Sequence, residues 1–274
     1  MRQSSFVTAM ARSAPVMAGL ALTAALSLAI PAAAEEPDMW PGIAKDIFGA
    51  REMAVDDGTL TLEAPCRAEA AALVPLTVRI PESVAASVKK LTLVIDKNPA
   101  PMAAAFTFGP AAGTGERVIS TRVRFDMYSS VHAVAETADG KLHMVTKFVK
   151  AAGGCSAPAL KDADEALASI GKVQVRTFET AGLPAEAQVM IRHPNYSGMQ
   201  MNQLTGLYIP AKFVDQMTVK RGDELVFELE SGISLSEDPN IRFSFNPGKD
   251  DTISVSAKDN TGATFSGRST PKGS

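Results

Sequence analysis

Cysteine is scarce in this chain. Cys66 and Cys155 are the only two, and no C-x-x-C pairing exists. A zinc ribbon and a multi-bridge disulfide scaffold are therefore excluded, although one disulfide between the two is conceivable in an exported protein. Tryptophan occurs once, at Trp40, so the Cys…Trp…Cys signature of antibody domains is absent. The three histidines, His132, His143 and His193, lie in separate segments without H-x-x-x-H or H-E-x-x-H spacing, and no metal site is expected. There is no G-x-S-x-G, no Walker loop and no Rossmann glycine fingerprint. Gly113-Thr114-Gly115 has no helix after it and reads as a turn. These absences leave no catalytic constellation and no call for a cofactor. Positive charge is also in deficit, with 27 Lys and Arg against 30 Asp and Glu. Nucleic acid, which demands a basic stripe, is an unsuitable partner, and so is an anionic membrane surface.

Apolar residues are concentrated at the start. Arg2 and Arg12 precede an apolar run from Pro15 to Ile30, and Ala32-Ala33-Ala34 forms an A-x-A site before Glu35-Glu36-Pro37. This is the pattern of a cleaved export signal. The run is short for a membrane span, which needs about 20 apolar residues, and no later segment could span a bilayer. Cleavage after Ala34 would leave 240 of the 274 residues and remove two basic side chains, taking the net charge from −3 to −5. The expected location is the periplasm, with no membrane attachment after cleavage.

The remainder is written mostly in strands. A short helix is expected over Trp40–Arg51, with Ile43, Ile47 and Phe48 on one face and Gly49 able to stop it. Short β-rich runs then follow at 73–80, 91–95, 103–108, 117–124, 131–137 and 142–149. Asn98-Pro99, Gly113-Thr114-Gly115 and Asp139-Gly140 separate them, and Asp-Gly is a strong hairpin signal. A second set lies at 173–178, 188–191, 213–219, 224–229, 241–245, 252–257 and 263–266, with a turn at Asp259-Asn260-Thr261-Gly262. Two sets of about seven strands suggest two antiparallel sandwiches. Between them, Leu160–Ile170 has the spacing of a short helix stopped by Gly171.

The junction holds Gly153-Gly154-Cys155-Ser156-Ala157-Pro158. Two glycines beside a thiol allow a hinge, because glycine reaches backbone angles closed to other residues. The thiolate is the reactive form of cysteine and needs accessible surroundings. A mobile, exposed Cys155 that reacts well before Cys66 is one reading; a loop cysteine without a role is the other, and the motif alone does not separate them. Asp162, Asp164 and Glu165 would raise the thiol pKa. Cys66, after Ala64-Pro65, reads as a half-buried loop cysteine or as a resolving partner for Cys155. Met199, Met201 and Met217 suit core packing or an adaptable contact surface.

Several motifs resemble a known family. Leu93-Val94-Ile95-Asp96-Lys97-Asn98-Pro99, Ala104-Ala105-Phe106-Thr107-Phe108, Val134 through Lys141 and the Gly-Gly-Cys at 153–155 resemble SoxY, the cysteine-bearing subunit of the periplasmic thiosulfate-oxidation carrier. Ile191-Arg192-His193-Pro194, Ile209 through Phe213, Ser234 through Pro239 and Asp250 through Val255 resemble its partner subunit, SoxZ. The resemblance implies an all-β fold of two immunoglobulin-like antiparallel sandwiches joined by a cysteine-bearing linker, with a short N-terminal helix. The implied organisation is a signal peptide at 1–34, a SoxY-like sandwich at 35–152, a hinge and linker at 153–171 and a SoxZ-like sandwich at 172–274. It also implies a non-catalytic carrier that holds a small sulfur anion covalently on Cys155, with Gly153 and Gly154 as the hinge. Partners would be periplasmic sulfur-oxidation enzymes. The fused arrangement is similar to carriers associated with quinoprotein dehydrogenases, which suggests such a dehydrogenase and its cytochrome, or a pure scaffold role beside them. In the family the arm ends Gly-Gly-Cys-Gly-Gly at a free C-terminus. Here Ser156-Ala157-Pro158 follow and the chain continues, so any partner pocket must accept a doubled-back loop.

Overall fold

The computed structural model describes residues 38–158, 168–178, 184–248 and 252–269. The export signal expected at 1–34, most of the helix expected over Leu160–Ile170, and Asp162, Asp164 and Glu165 lie outside the described residues. Within them, strict alternation makes the strands. In β3 (Val74–Ile80), Val74, Leu76, Val78 and Ile80 are buried while Pro75 and Arg79 face solvent. In β14 (Ile253–Asp259), Ile253, Val255, Ala257 and Asp259 point inward. Period-two alternation gives a sheet one apolar and one wet face, and two such sheets bury their apolar faces against each other.

The larger sheet has nine strands. One flank holds β1 (Met53–Val55), β8 (Leu142–Val149), β7 (Ser129–Thr137), β4 (Val88–Ile95) and β5 (Met102–Phe108), in that order. It continues directly into β12 (Glu224–Ser231), β11 (Val214–Arg221), β14 and β15 (Thr264–Arg268). The smaller sheet runs β2 (Thr61–Glu63), β3, β6 (Arg117–Val123), β13 (Asn240–Phe245), β10 (Ala185–Ile191) and β9 (Val173–Phe178). Chain order and sheet order agree on two halves, the first ending with β8 and the second starting with β9. Each half contributes strands to both sheets.

The halves are joined by more than a linker. In the large sheet β5 pairs with β12, setting Phe108 opposite Phe227 and Phe106 opposite Leu229. In the small sheet β6 pairs with β13, setting Ile119 opposite Phe243. Phe106, Phe227 and Phe243 meet edge to face at 5.4 Å and 5.0 Å between centroids. All three are buried, and aromatic pairs of this geometry add about 0.5–1.5 kcal/mol beyond area burial. One hydrophobic cluster accordingly runs through both halves.

Helix α1 (Trp40–Phe48) covers the outer face of the large sheet. Trp40, Ile43, Ile47 and Phe48 pack on Val94, Val134, Leu142 and Met144. This explains why Leu91 to Ile95 are buried without alternation: that stretch is covered on both faces. The helix stops at Phe48, three residues short of the expected Arg51, where Gly49 takes φ +74° and its N–H donates to the Lys45 carbonyl.

The expected hairpins form at Asp139-Gly140 between β7 and β8 and at Asp259–Gly262 between β14 and β15. Strand β1 departs from an all-antiparallel pattern, since it pairs with β8 in parallel. It arrives from α1 and not from a tight turn, so nothing enforces reversal. The short elements β1 and α2 (Glu82–Ala85) were not legible, being only three and four residues long. No helix among the described residues is long and apolar enough to cross a membrane.

Candidate functional site

Beyond β8 the chain crosses the end of the sandwich, where the two halves meet. The Lys150 N–H donates to the Cys66 carbonyl at 2.9 Å. Gly153 then takes φ +79°, which favours glycine. Its N–H donates to the Asp126 carbonyl at 2.8 Å, and the Gly154 N–H donates to the Phe125 carbonyl at 2.8 Å. Phe125 in turn donates to Ala71 at 2.9 Å. A Cβ on Gly154 would strike the Ala71 carbonyl and come within 2.7 Å of the Phe125 carbonyl. In this arrangement Gly153 makes a turn and Gly154 a close backbone approach.

Cys155 is fully buried and unpaired, and Cys66 is exposed and unpaired. Both expectations of exposure are corrected. The thiol expected to be open is enclosed, and the one expected to be half-buried faces solvent. The reason is tertiary: small residues around Cys155 allow two loops to close over it. The Ser197 hydroxyl donates a short hydrogen bond to the Cys155 carbonyl. From the other side, Arg124 donates to the Gly154 carbonyl at 3.2 Å and to the Asn195 carbonyl at 3.4 Å. Burial pushes the Cys155 thiol up to about 12, the Asp126 carboxylate adds to the rise, and the Arg124 guanidinium opposes it. The acid that acts on the thiol within the described residues is thus Asp126. Arg124 itself is held below its usual range by burial, against the pull of Glu237 and Cys155.

The motif residues converge on this end of the molecule. Asn98 donates to the Arg124 carbonyl at 2.7 Å and to the Ser234 hydroxyl at 2.9 Å, and it accepts from the Asp126 N–H at 2.9 Å. The Ser236 hydroxyl donates to the Ala72 carbonyl at 2.7 Å. Arg192 pairs with Asp238 at 2.5 Å, and the His193 N–H donates to the same carboxylate at 3.1 Å. Segments from the two halves are therefore stitched together around the cysteine. Arg124, Asn195, Ser197 and Gln200 were not anticipated. Nothing in their local spacing marks them, because the cysteine segment they surround is remote from them in sequence.

The histidines stay apart. His132 is buried, stacked on Trp40 at 3.8 Å between centroids, with Nε2 2.9 Å from Asp96 and Nδ1 2.8 Å from Thr146. His143 is partly buried with Nδ1 2.6 Å from Asp57. His193 is buried beside Asn195 and Asp259, and burial lowers its pKa. Among the described residues no three His, Cys, Asp or Glu side chains cluster to hold a metal. Met217 packs in the core, whereas Met201 is exposed.

Fold and site together describe a two-sheet, all-β protein whose halves close over a single buried thiol. Comparison with known families gives this a name: residues 44–155 match the sulfur oxidation protein SoxY, and residues 173–270 match the sulphur oxidation protein SoxZ. The chain belongs to the SoxY and SoxZ families, carrying one domain of each in tandem. No curated protein matches it. Among solved structures, the sulfur carrier protein SoxY from Chlorobium limicola f thiosulfatophilum is similar at 24% identity, with a TM-score of 0.34 over 41% of this chain and 90% of that one.

Proposed function

We propose that this protein is an exported, periplasmic carrier without catalytic activity of its own, which holds a small sulfur anion covalently on Cys155 and presents it to sulfur-oxidation enzymes. One observation carries the reading: the SoxY match ends on Cys155, the same residue that the two halves enclose. The boundaries proposed are a SoxY-like unit to residue 152, the cysteine segment and linker at 153–171, and a SoxZ-like unit from 172.

The chemistry sets two requirements. Joining the Cys155 thiol to thiosulfate through a new S–S bond releases one proton and two electrons, so an electron-accepting redox protein must take the electrons. The reactive species is the thiolate, and a thiol raised to about 12 supplies almost none near neutrality. Loading therefore requires the Gly153–Cys155 segment to lift, breaking its bonds to Asp126, Phe125, Arg124 and Ser197. Contacts with the loading enzyme would offset that cost.

Tetrathionate supplies a test that needs no enzyme. The Cys155 thiolate attacks an inner sulfur of tetrathionate, the central S–S bond breaks, and thiosulfate leaves with the electron pair. Intact-mass analysis of protein from the native periplasm should show a chain beginning at Glu35 that gains a reductant-removable thiosulfonate at Cys155. Exposed Cys66 also reacts, and first, so the deciding outcome is genetic: full sulfur oxidation in a Cys155→Ser strain defeats the carrier reading.

The burial of Cys155 favours a second reading, a scaffold docked on a quinoprotein alcohol dehydrogenase and its cytochrome. In that case the Cys155→Ser protein keeps its partner binding and its physiological effect.

A further inference from the structure

Two buried hydrogen-bond donors on residues linked to the cysteine segment have no acceptor. Arg124 is 1% exposed, and its Nε–H is unpartnered. Gln200 is also 1% exposed, and its Nε2 is unpartnered. Leaving a buried donor unpaired is costly, the more so for a charged group. Both belong to the walls of the cysteine segment. Arg124 already holds the Gly154 carbonyl. The Gln200 Oε1 accepts from the Ser197 N–H at 2.9 Å, and the Ser197 hydroxyl holds the Cys155 carbonyl. Both spare groups are donors and one is cationic. That combination has nothing to offer a neutral thiol and suits a negative charge.

We propose that Arg124 and Gln200 form an anion-holding pair which retains Cys155 in its closed position when the sulfur carries an anionic adduct, such as a persulfide or a thiosulfonate. The proposal rests on Cys155 being the attachment residue. It gives the closed state a purpose, since an anionic sulfur intermediate enclosed between encounters is shielded from water and stray thiols. A buried anion without a counter-charge is costly, and Arg124 supplies one. Asp126 works against it, because its carboxylate faces the same sulfur. That residue is partly exposed, so solvent screens it, whereas Arg124 is enclosed.

Methanethiosulfonate reagents separate charge from size. Each transfers its thioalkyl group to a thiolate, forming a mixed disulfide and releasing methanesulfinate. One reagent leaves a sulfonate on the cysteine and the other a trimethylammonium group. Both adducts are installed in urea, the protein is refolded, and the rate of release by dithiothreitol is read by mass. Exposed Cys66 in the same molecule corrects for the intrinsic difference between reagents. Relative to Cys66, the sulfonate at Cys155 should be released at least about tenfold more slowly than the trimethylammonium group, the scale of one hydrogen bond to a charged group. Gln200→Glu keeps the acceptor for Ser197, removes the donor and adds a negative charge, so it should abolish or invert the preference while leaving Cys66 unchanged. Arg124→Lys should reduce it. Where release is too fast or too slow to time, the melting temperatures of the two refolded adducts report the same preference. Equal release of both adducts, or a preference indifferent to Gln200→Glu, overturns the proposal. Full sulfur oxidation in a Cys155→Ser strain while the charge preference persists would instead defeat the carrier reading and leave the anion-holding pair standing.

Discussion

Gly154 lies against the Ala71 and Phe125 carbonyls with no room for a methyl group. Gly154→Ala should therefore keep the segment from seating, since forcing extra atoms into a packed site costs about 1–3 kcal/mol. The expected readout is native-state alkylation. In the wild type Cys66 reacts first because it is exposed. In Gly154→Ala the rate at Cys155 should rise at least about tenfold, equivalent to ~1.4 kcal/mol of weakened closure, with Cys66 unchanged. An unchanged Cys155 rate would mean that the close approach does not hold the segment shut. The thiol also makes stability pH-dependent. Its pKa is raised from 9.0 to about 12 on folding. The closed state therefore binds its proton more tightly than the unfolded chain does. Stability from this group is intact below about 9 and falls as pH rises towards 12, by at most about 1.4 kcal/mol per pH unit for one proton. Urea unfolding at pH 8 and pH 10 should show this loss in the wild type and not in Cys155→Ser.

At the scale of elements, the β5–β12 and β6–β13 ladders decide whether the halves unfold together. Phe227 is buried at that seam against Phe106 and Phe243. Phe227→Ala should cost about 3–5 kcal/mol, the usual range for a buried phenylalanine, and should leave one cooperative urea transition. Two separate transitions in the variant would show that the seam is a contact between independent units. The α1 packing has the same logic on a smaller scale. Trp40 covers His132 and closes the outer face over β4, so the helix belongs to the sandwich and not to a tail.

Considered whole, the molecule is a pair of sandwiches that share both sheets. Strand-edge pairing satisfies backbone groups that separate domains would leave open, and open edges invite aggregation. A protease site placed between Pro158 and Gly171 should consequently nick the chain without separating the halves. The two fragments should co-sediment as one species at about tens of micromolar, well below the effective concentration of about millimolar that a short linker imposes. Fragments that sediment separately would show that the linker, and not the ladders, holds the pair.

Local patterning alone was enough for the longer strands, because alternation with turn residues between runs is written within a few positions. The runs at 142–149 and 173–178 coincide with β8 and β9, and Asp139-Gly140 and Gly262 turn where they should. The family was legible for the same reason, since its motifs are short and contiguous. What happens to Cys155 was not. Two glycines beside a cysteine are equally consistent with a loose arm and with a tight backbone crossing. The choice depends on Ala71, Phe125, Arg124 and Ser197, which lie 84, 30, 31 and 42 positions away in the chain and meet it only when both sheets assemble. Exposure, pKa and unpaired donors are properties of that assembly, so only the tertiary structure could decide them.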